Sequence, residues 1–265
     1  MTKKIVISAV NIRKEYVVKK HLFTGKIKEK YVAVKGAAFD VEEGKTIGIV
    51  GESGSGKSTI GEIVGGLQKP TYGCVLYFGK NIKELSEEEY HDYRKSVQFI
   101  FQDPKGSMDP NYEIIDILTM PLLTTNIAKN KDEAEKLIDK MLLRVGLDLT
   151  IKNKYPAEVS GGQCQRAAIA RALLVNPKLI ICDEPVSALD VSIQAQILNL
   201  LRELQRELNI SYIFISHDIG VVNYMSDTIL VMQNGNIVER GEAKEVLLHP
   251  KKEYTKILIE SAFVH

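Results

Sequence analysis

Gly51-Glu52-Ser53-Gly54-Ser55-Gly56-Lys57-Ser58-Thr59 follows the spacing G-x-x-x-x-G-K-[ST], and few folds can house it. Its glycines let the backbone curl and turn N–H groups inward around phosphate oxygens. The run Thr46-Ile47-Gly48-Ile49-Val50 before it reads as a buried strand, and Thr59–Val64 continues as a helix after it. That helix points its positive end at the same oxygens. Lys57 is placed to reach β- and γ-phosphates, and the Ser58 hydroxyl to ligate Mg²⁺. Strand, loop and helix together imply a nucleotide binder. Kinases, GTPases, helicases and transport ATPases share this element, so other residues must separate them.

The chain of 265 residues suffices for one large domain, or a core with an inserted lobe. Its net charge of +1 gives no general electrostatic drive toward nucleic acid or an anionic membrane. Cys74, Cys164 and Cys182 are scattered without a C-x-x-C pair, which fits a reducing compartment better than a metal or disulfide framework. Met1-Thr2-Lys3-Lys4-Ile5 lacks the apolar stretch of a signal peptide. Apolar runs such as Thr228-Ile229-Leu230-Val231-Met232 are strand-length, so another chain is expected to span any membrane at which this one works.

Along the chain, Ile5–Val10 and Ala33–Val41 read as strands, and Glu42-Glu43-Gly44-Lys45 as the turn before the phosphate-loop strand. The basic stretch Lys19–Lys30 reads as an exposed, solvated loop. Residues 83–95 and 130–145 are helical in character; in the latter Glu133, Lys136, Lys140 and Arg144 share a polar side, while Leu137, Met141 and Leu142 can face inward. Residues 164–175 form a helical run, Leu179–Cys182 an apolar strand, Val191–Leu208 a long amphipathic helix and Ser211–Ile215 another buried strand. This alternation predicts a parallel sheet covered on both faces. The stretch His249–His265 is basic, then helical.

Asp183 and Glu184 follow the apolar strand. Adjacent carboxylates at the end of a buried strand are costly unless they serve a cation or a proton transfer. In a phosphate-loop enzyme Asp183 would contact Mg²⁺, directly or through water, and Glu184 would polarise the attacking water. The plainer alternative, Asp183 as a mere cap, leaves the phosphate loop without the partner it requires. Upstream, Val159-Ser160-Gly161-Gly162-Gln163 opens a second helix, with Ser160 as N-cap and two glycines permitting close approach of phosphates. On a different lobe from Gly51–Ser58, that helix start could reach the nucleotide of another molecule.

With these residues in place, the chain closely resembles the ATP-binding subunits of ABC transporters over nearly its whole length. Gly51–Thr59 matches the Walker A motif, within which the resemblance assigns Gly51, Ser53, Gly54, Ser55, Gly56, Lys57, Ser58 and Thr59 to the nucleotide. Gln102 in Phe101-Gln102-Asp103-Pro104 matches the Q-loop glutamine, a further candidate at Mg²⁺ beside Ser58 and Asp183. Ser160, Gly161, Gly162 and Gln163 match the family signature, with Val159 where leucine is most usual. Leu179–Asp183 with Glu184 matches Walker B and the catalytic glutamate, Ser187–Asp190 the D-loop, and His217 the switch histidine. Tyr16 occupies the position of the aromatic that stacks on adenine, with Phe23 and Tyr31 as competitors. The segments Gln102–Pro110 and Cys182–Gln196, and the ending His249-Pro250-Lys251-Lys252-Glu253-Tyr254-Thr255, resemble oligopeptide, dipeptide and nickel importers; the insertion near Lys19–Lys30 suits the second ATPase of such systems.

The resemblance implies an α/β fold: a P-loop NTPase cassette with a parallel core sheet, an antiparallel β subdomain and an inserted α-helical subdomain. It implies one ABC ATPase domain over 1–265, with 1–100 and 170–230 as nucleotide-binding core and β subdomain, about 101–169 as the helical subdomain and about 231–265 as a C-terminal appendage. The cofactors implied are ATP and Mg²⁺. Two ATPase chains would bind head to tail, Walker A of one facing the signature of the other, and Gln102 would move a groove near residues 100–125 that receives a helix of a membrane subunit. The implied partners are a second ATP-binding subunit, a non-identical sister or else a second copy, two membrane-spanning permease subunits and, indirectly, an extracytoplasmic solute-binding protein, with no nucleic acid. The implied location is peripheral, on the cytoplasmic face of the cell membrane. Peptide import leads; nickel or metal-chelate import is the close rival, because cargo is chosen by other subunits. A soluble ABC ATPase of DNA repair or translation would show coiled coils, zinc motifs or tandem cassettes, and a non-catalytic cassette would lack Glu184 and His217.

Overall fold

A computed structural model of the chain describes residues 4–20 and 27–263. The chain divides into two compact units, residues 1–93 with 211–265, and residues 94–210. Strands and α-helices are numbered along the chain.

The first unit carries two sheets. β1 (Ile5–Lys20), β2 (Ile27–Glu42), β4 (Tyr72–Tyr77) and β5 (Lys80–Asn81) form an antiparallel sheet in the order β2-β1-β4-β5. In the other, β3 (Thr46–Val50) runs parallel to both β8 (Ser211–Ser216) and β9 (Thr228–Gln233), and β10 (Asn236–Glu242) closes the edge antiparallel to β9. Every residue of β3 and β8 is buried, as expected for parallel strands covered on both faces. α1 (Lys57–Val64) leaves β3 through the loop 51–56, and the fully buried Tyr93 in α2 (Glu87–Ser96) donates its hydroxyl to the Val64 carbonyl at the far end of α1. α7 (Ile219–Met225), α8 (Ala243–Leu248) and α9 (Glu253–Phe263) complete the unit.

β1 and β2 are much longer than the apolar runs that announce them. The ladder continues past Tyr16↔Tyr31 and Lys19↔Glu29 to Lys20↔Ile27, with repeated register shifts. Lys19, Lys20 and residues 27–30 are therefore strand and not loop, a correction to the composition-based reading. Pairing with a neighbouring strand satisfies the backbone whatever the polarity of the side chains, and bulges absorb the irregular pattern. Residues 21–26, with Phe23, lie outside the described part.

The second unit pairs β6 (Val97–Ile100) in parallel with β7 (Leu179–Asp183) and carries α3 (Ile114–Thr124), α4 (Lys131–Arg144), α5 (Gly161–Leu173) and α6 (Val191–Leu208). Asn130 caps α4 by accepting the Glu133 N–H at 2.9 Å, while the Glu133 carboxylate accepts the Lys129 N–H at 2.9 Å. The seam α4 buries is Ala134, Ile138 and Leu142, spaced at i, i+4 and i+8, with Leu137 and Met141 half-buried beside it. Two arginines of α5 lace this unit. Arg166 donates to the Val145 carbonyl at 2.6 Å and to Gln196 in α6 at 3.0 Å; Arg171 donates to the Ser107 carbonyl at 2.9 Å.

Candidate functional site

In the first unit the ladder pairs Val50 with Ser216, so the loop 51–56 and His217 leave adjacent parallel strands at the same edge. Such carboxyl ends are where ligands bind open α/β sheets. The loop is held tightly. Gly56, at φ 104°, would place a Cβ 2.3 Å from the Ala33 carbonyl oxygen, so no side chain fits there. The Gly235 N–H donates to the Ser55 carbonyl at 3.0 Å, and the Tyr31 hydroxyl to the Gly54 carbonyl at 3.1 Å. The Lys57 side chain is buried, and its ammonium turns back on the carbonyls of Gly51 at 2.7 Å and Glu52 at 2.9 Å. Ser58 is exposed and Thr59 half-buried on the first turn of α1, while Ser53 and Gly54 are exposed at the loop's tip.

These residues fit a phosphate ligand on three counts. Ser55 Oγ is buried without a hydrogen-bond partner. No side chain caps the start of α1, and its first turn carries no acidic residue to compete with an anion. Lys57 brings a buried ammonium to the loop, and a phosphate would supply it with opposite charge.

His217 is exposed between β8 and Asp218, whose carboxylate caps α7 by accepting the N–H groups of Gly220 at 2.7 Å and Val221 at 3.1 Å. Tyr16 donates its hydroxyl to Gln68 at 2.8 Å, and Lys14 stands 5.2 Å from its ring centroid. Of the aromatics weighed for the adenine, Tyr31 touches the phosphate loop and Tyr16 sits opposite it on the ladder.

In the second unit Ile100 pairs with Cys182, so Gln102 and the Asp183-Glu184 pair follow adjacent parallel strands. Gln102 Nε2 donates to Glu184 Oε2 at 3.1 Å. Asp183 is buried at the end of β7. Glu184 has φ 46°, a left-handed backbone that is uncommon outside glycine and clusters at functional sites. The Ser187 hydroxyl donates to the Glu184 carbonyl at 3.1 Å and helps fix that turn.

The signature helix α5 begins with a reciprocal cap: the Gln163 N–H donates to Ser160 Oγ at 3.2 Å, and the Ser160 N–H to Gln163 Oε1 at 3.0 Å. Gly161 and Gly162 pack against the segment after Glu184; a Cβ on Gly162 would stand 2.9 Å from Ile193 Cγ2, and one on Gly161 3.4 Å from Leu189 Cδ2. Asp190 caps α6, its Oδ1 accepting from the Ile193 N–H at 2.9 Å and the Ser192 hydroxyl at 2.8 Å, and these bonds hold its carboxyl below the usual range. The second unit thus brings Gln102, Asp183 and Glu184 to one edge and seats the Ser160–Gln163 turn on the Leu189–Ile193 segment.

The family model described as ABC transporter matches residues 34–187. The chain belongs to the ABC transporter family. Among its relatives in that family, the oligopeptide transport ATP-binding protein OppF of Salmonella typhimurium is 48% identical over 86% of this chain and 69% of its own length. The dipeptide transport ATP-binding protein DppF of Haemophilus influenzae is 42% identical over 97% of this chain and 77% of its own. A solved ABC cassette, dimeric MJ0796 in a post-hydrolysis state bound to ADP and Pi, superposes with a TM-score of 0.78 at 30% identity, covering 89% of this chain and 98% of that one. The α/β fold with parallel and antiparallel sheets and added helices is the ABC ATPase fold. Within this ABC cassette, sequence reasoning passed over Arg166 and Arg171, which hold the signature helix, and Gln68, which holds Tyr16. Arg166 and Arg171 are the two charged residues of that helix, a signal that could have marked them.

Proposed function

We propose that this chain is the ATP-hydrolysing motor subunit of an importer that takes up peptides. The observation that carries the reading is the Gln102–Glu184 hydrogen bond at the strand edge where Asp183 also ends, because it joins the proposed sensor of bound nucleotide to the proposed base. Relatives that act in oligopeptide and dipeptide transport support peptide as the cargo class.

The roles follow from chemistry. Lys57 and the loop N–H groups bind the phosphates, and Tyr16, with Tyr31 as its competitor, stacks on the adenine. Glu184 accepts the proton of the attacking water, and His217 donates a hydrogen bond to the γ-phosphate. Mg²⁺, when bound, neutralises phosphate charge, and Ser58, Asp183 and Gln102 would hold it. Ser160, Gly161, Gly162, Gln163 and Asp190 act on nucleotide held by a second ATP-binding subunit, a non-identical sister or else another copy. Among the described residues no helix is long and apolar enough to cross a membrane, so two permease subunits would supply the channel and the chain would sit peripherally on the cytoplasmic face. The exposed side chains Tyr112 and Met120, beside and on α3, offer apolar surface for a permease helix.

The test is reconstitution of the chain with candidate permease and partner subunits, in vesicles with Mg-ATP. Peptide-stimulated hydrolysis and peptide uptake are expected. Stimulation by nickel or a metal chelate instead of peptide would overturn the cargo, and hydrolysis indifferent to permease would overturn the transport role.

A further inference from the structure

The segment after β10 packs back onto its own unit. Glu239, buried in β10, accepts the N–H of Lys251 at 2.8 Å, the N–H of Lys252 at 3.0 Å and the Thr255 hydroxyl at 2.6 Å. These donors ring the start of α9, where helix N–H groups have no partners of their own, so a carboxylate from another strand caps the helix. Thr255 is fully buried in the process. The docking fixes where Tyr254 points: its hydroxyl accepts the backbone N–H of Glu52, inside the phosphate loop, at 3.0 Å.

We infer that Tyr254 is a positioning residue for nucleotide, holding the phosphate loop in its binding geometry through Glu52. This rests on the reading of Gly51–Thr59 as the nucleotide's loop. Both faces of Glu52 are engaged. Its carbonyl takes the Lys57 ammonium at 2.9 Å and the Ser55 N–H at 3.2 Å, and its N–H takes Tyr254. When Lys57 moves its charge to a phosphate, the bond to Tyr254 is unaffected, because that N–H points at α9 and not into the loop. The tail then keeps the peptide plane fixed through the exchange. Preorganisation of this kind improves binding by removing the ordering that binding would otherwise require. Linkage makes the effect reciprocal: nucleotide on the loop must tighten the docking of α9.

The test compares the full chain with its Tyr254→Phe, Glu239→Gln and Lys57→Ala variants. ATP affinity is measured by titration, and amide exchange is followed over residues 48–58 and 250–261. Tyr254→Phe is expected to weaken ATP binding about two- to tenfold, the range of one neutral hydrogen bond, and to raise exchange at Glu52. In the assembled complex its KM for ATP should rise with kcat unchanged. ATP should slow exchange in 250–261 of the natural chain and not in Tyr254→Phe. Glu239→Gln, which leaves Tyr254 in place but loosens α9, should give a weaker version of both effects. A Tyr254→Phe chain that melts earlier yet binds ATP normally, with ATP still protecting 250–261, would overturn the inference. Lys57→Ala separates the two readings: if it leaves ATP binding intact, the loop's assignment fails; if it abolishes binding while Tyr254→Phe changes nothing, only the role of Tyr254 fails.

Discussion

The side-chain amide of Gln102 donates to the carboxylate of Glu184 across 3.1 Å, joining the ends of two parallel strands. The bond orients the Glu184 carboxylate through one of its oxygens. Glu184→Gln keeps the shape and removes the basicity. Single-turnover hydrolysis should fall about 10²-fold or more, the range of a positioned general base, while ATP binding stays near normal. Near-native hydrolysis by the variant would falsify Glu184 as the base; lost binding would assign it to the metal site or the fold.

Lys57 is buried and already engaged with the loop's own carbonyls, so Lys57→Ala removes a charge without exposing an apolar core. ATP affinity should drop by more than about tenfold, as for loss of a charge-assisted contact to phosphate. Circular dichroism should show the same helix content. Equal affinity in a calorimetric titration would remove Lys57 from the site.

Gly162→Asp tests action on a partner's nucleotide. Its Cβ would press on Ile193 Cγ2 at 2.9 Å, so some strain accompanies the added charge. The isolated variant should still bind ATP, while ATP-driven association and turnover of the complex fall. Pairing it with Ile193→Ala should relieve the contact and restore thermal stability but not turnover. Recovered turnover in the double variant would trace the defect to packing and sink the idea of a charge facing the partner's phosphate.

The legible parts of the fold were those where one strand or helix declares its own environment. β3 and β8 are apolar but for Thr46, Ser211 and Ser216 at their ends because both faces are covered, and Val191–Leu208 shows a helical stripe ending at Asn209, which takes the left-handed cap. The ends of β1 and β2 were illegible because their pairing lies in the backbone, not in side-chain pattern. In the candidate site, every residue proposed to meet phosphate or water carries its chemistry in its type and spacing. Tyr31, Gln68, Arg166 and Tyr254 do not, because they act through partners distant in sequence.

Glu239 supplies a pH test. Burial pushes its carboxyl up, but the Thr255 hydroxyl and the amides of Lys251 and Lys252 outweigh this and hold it below the usual range. A depressed folded value means the unfolded chain takes up the proton first. The stabilisation is therefore complete above about pH 4.3, the unperturbed glutamate value, and is lost as pH falls through the depressed one. Protection of the α9 amides, taken relative to their intrinsic exchange rates, should fall as the pH drops below about 4.3. Glu239→Gln should show weak protection at neutral pH and little further change on acidification; an unchanged profile would mean that the carboxylate does not anchor α9.

The turn between β9 and β10 shows what this architecture forbids. Gly235 gives its N–H to Ser55 and its carbonyl, at 2.8 Å, to the N–H of Lys35. A two-residue hairpin turn thus rivets the antiparallel sheet to the phosphate loop. Such turns on a protein's rim ordinarily tolerate insertion, tagging and drift in length. Here an added residue would slide β10 against β9, lift the rivet from Ser55 and distort the candidate phosphate site. The molecule's permissive surface ends at this hairpin, and a library of insertions scored for nucleotide binding should show a gap at Asn234 and Gly235.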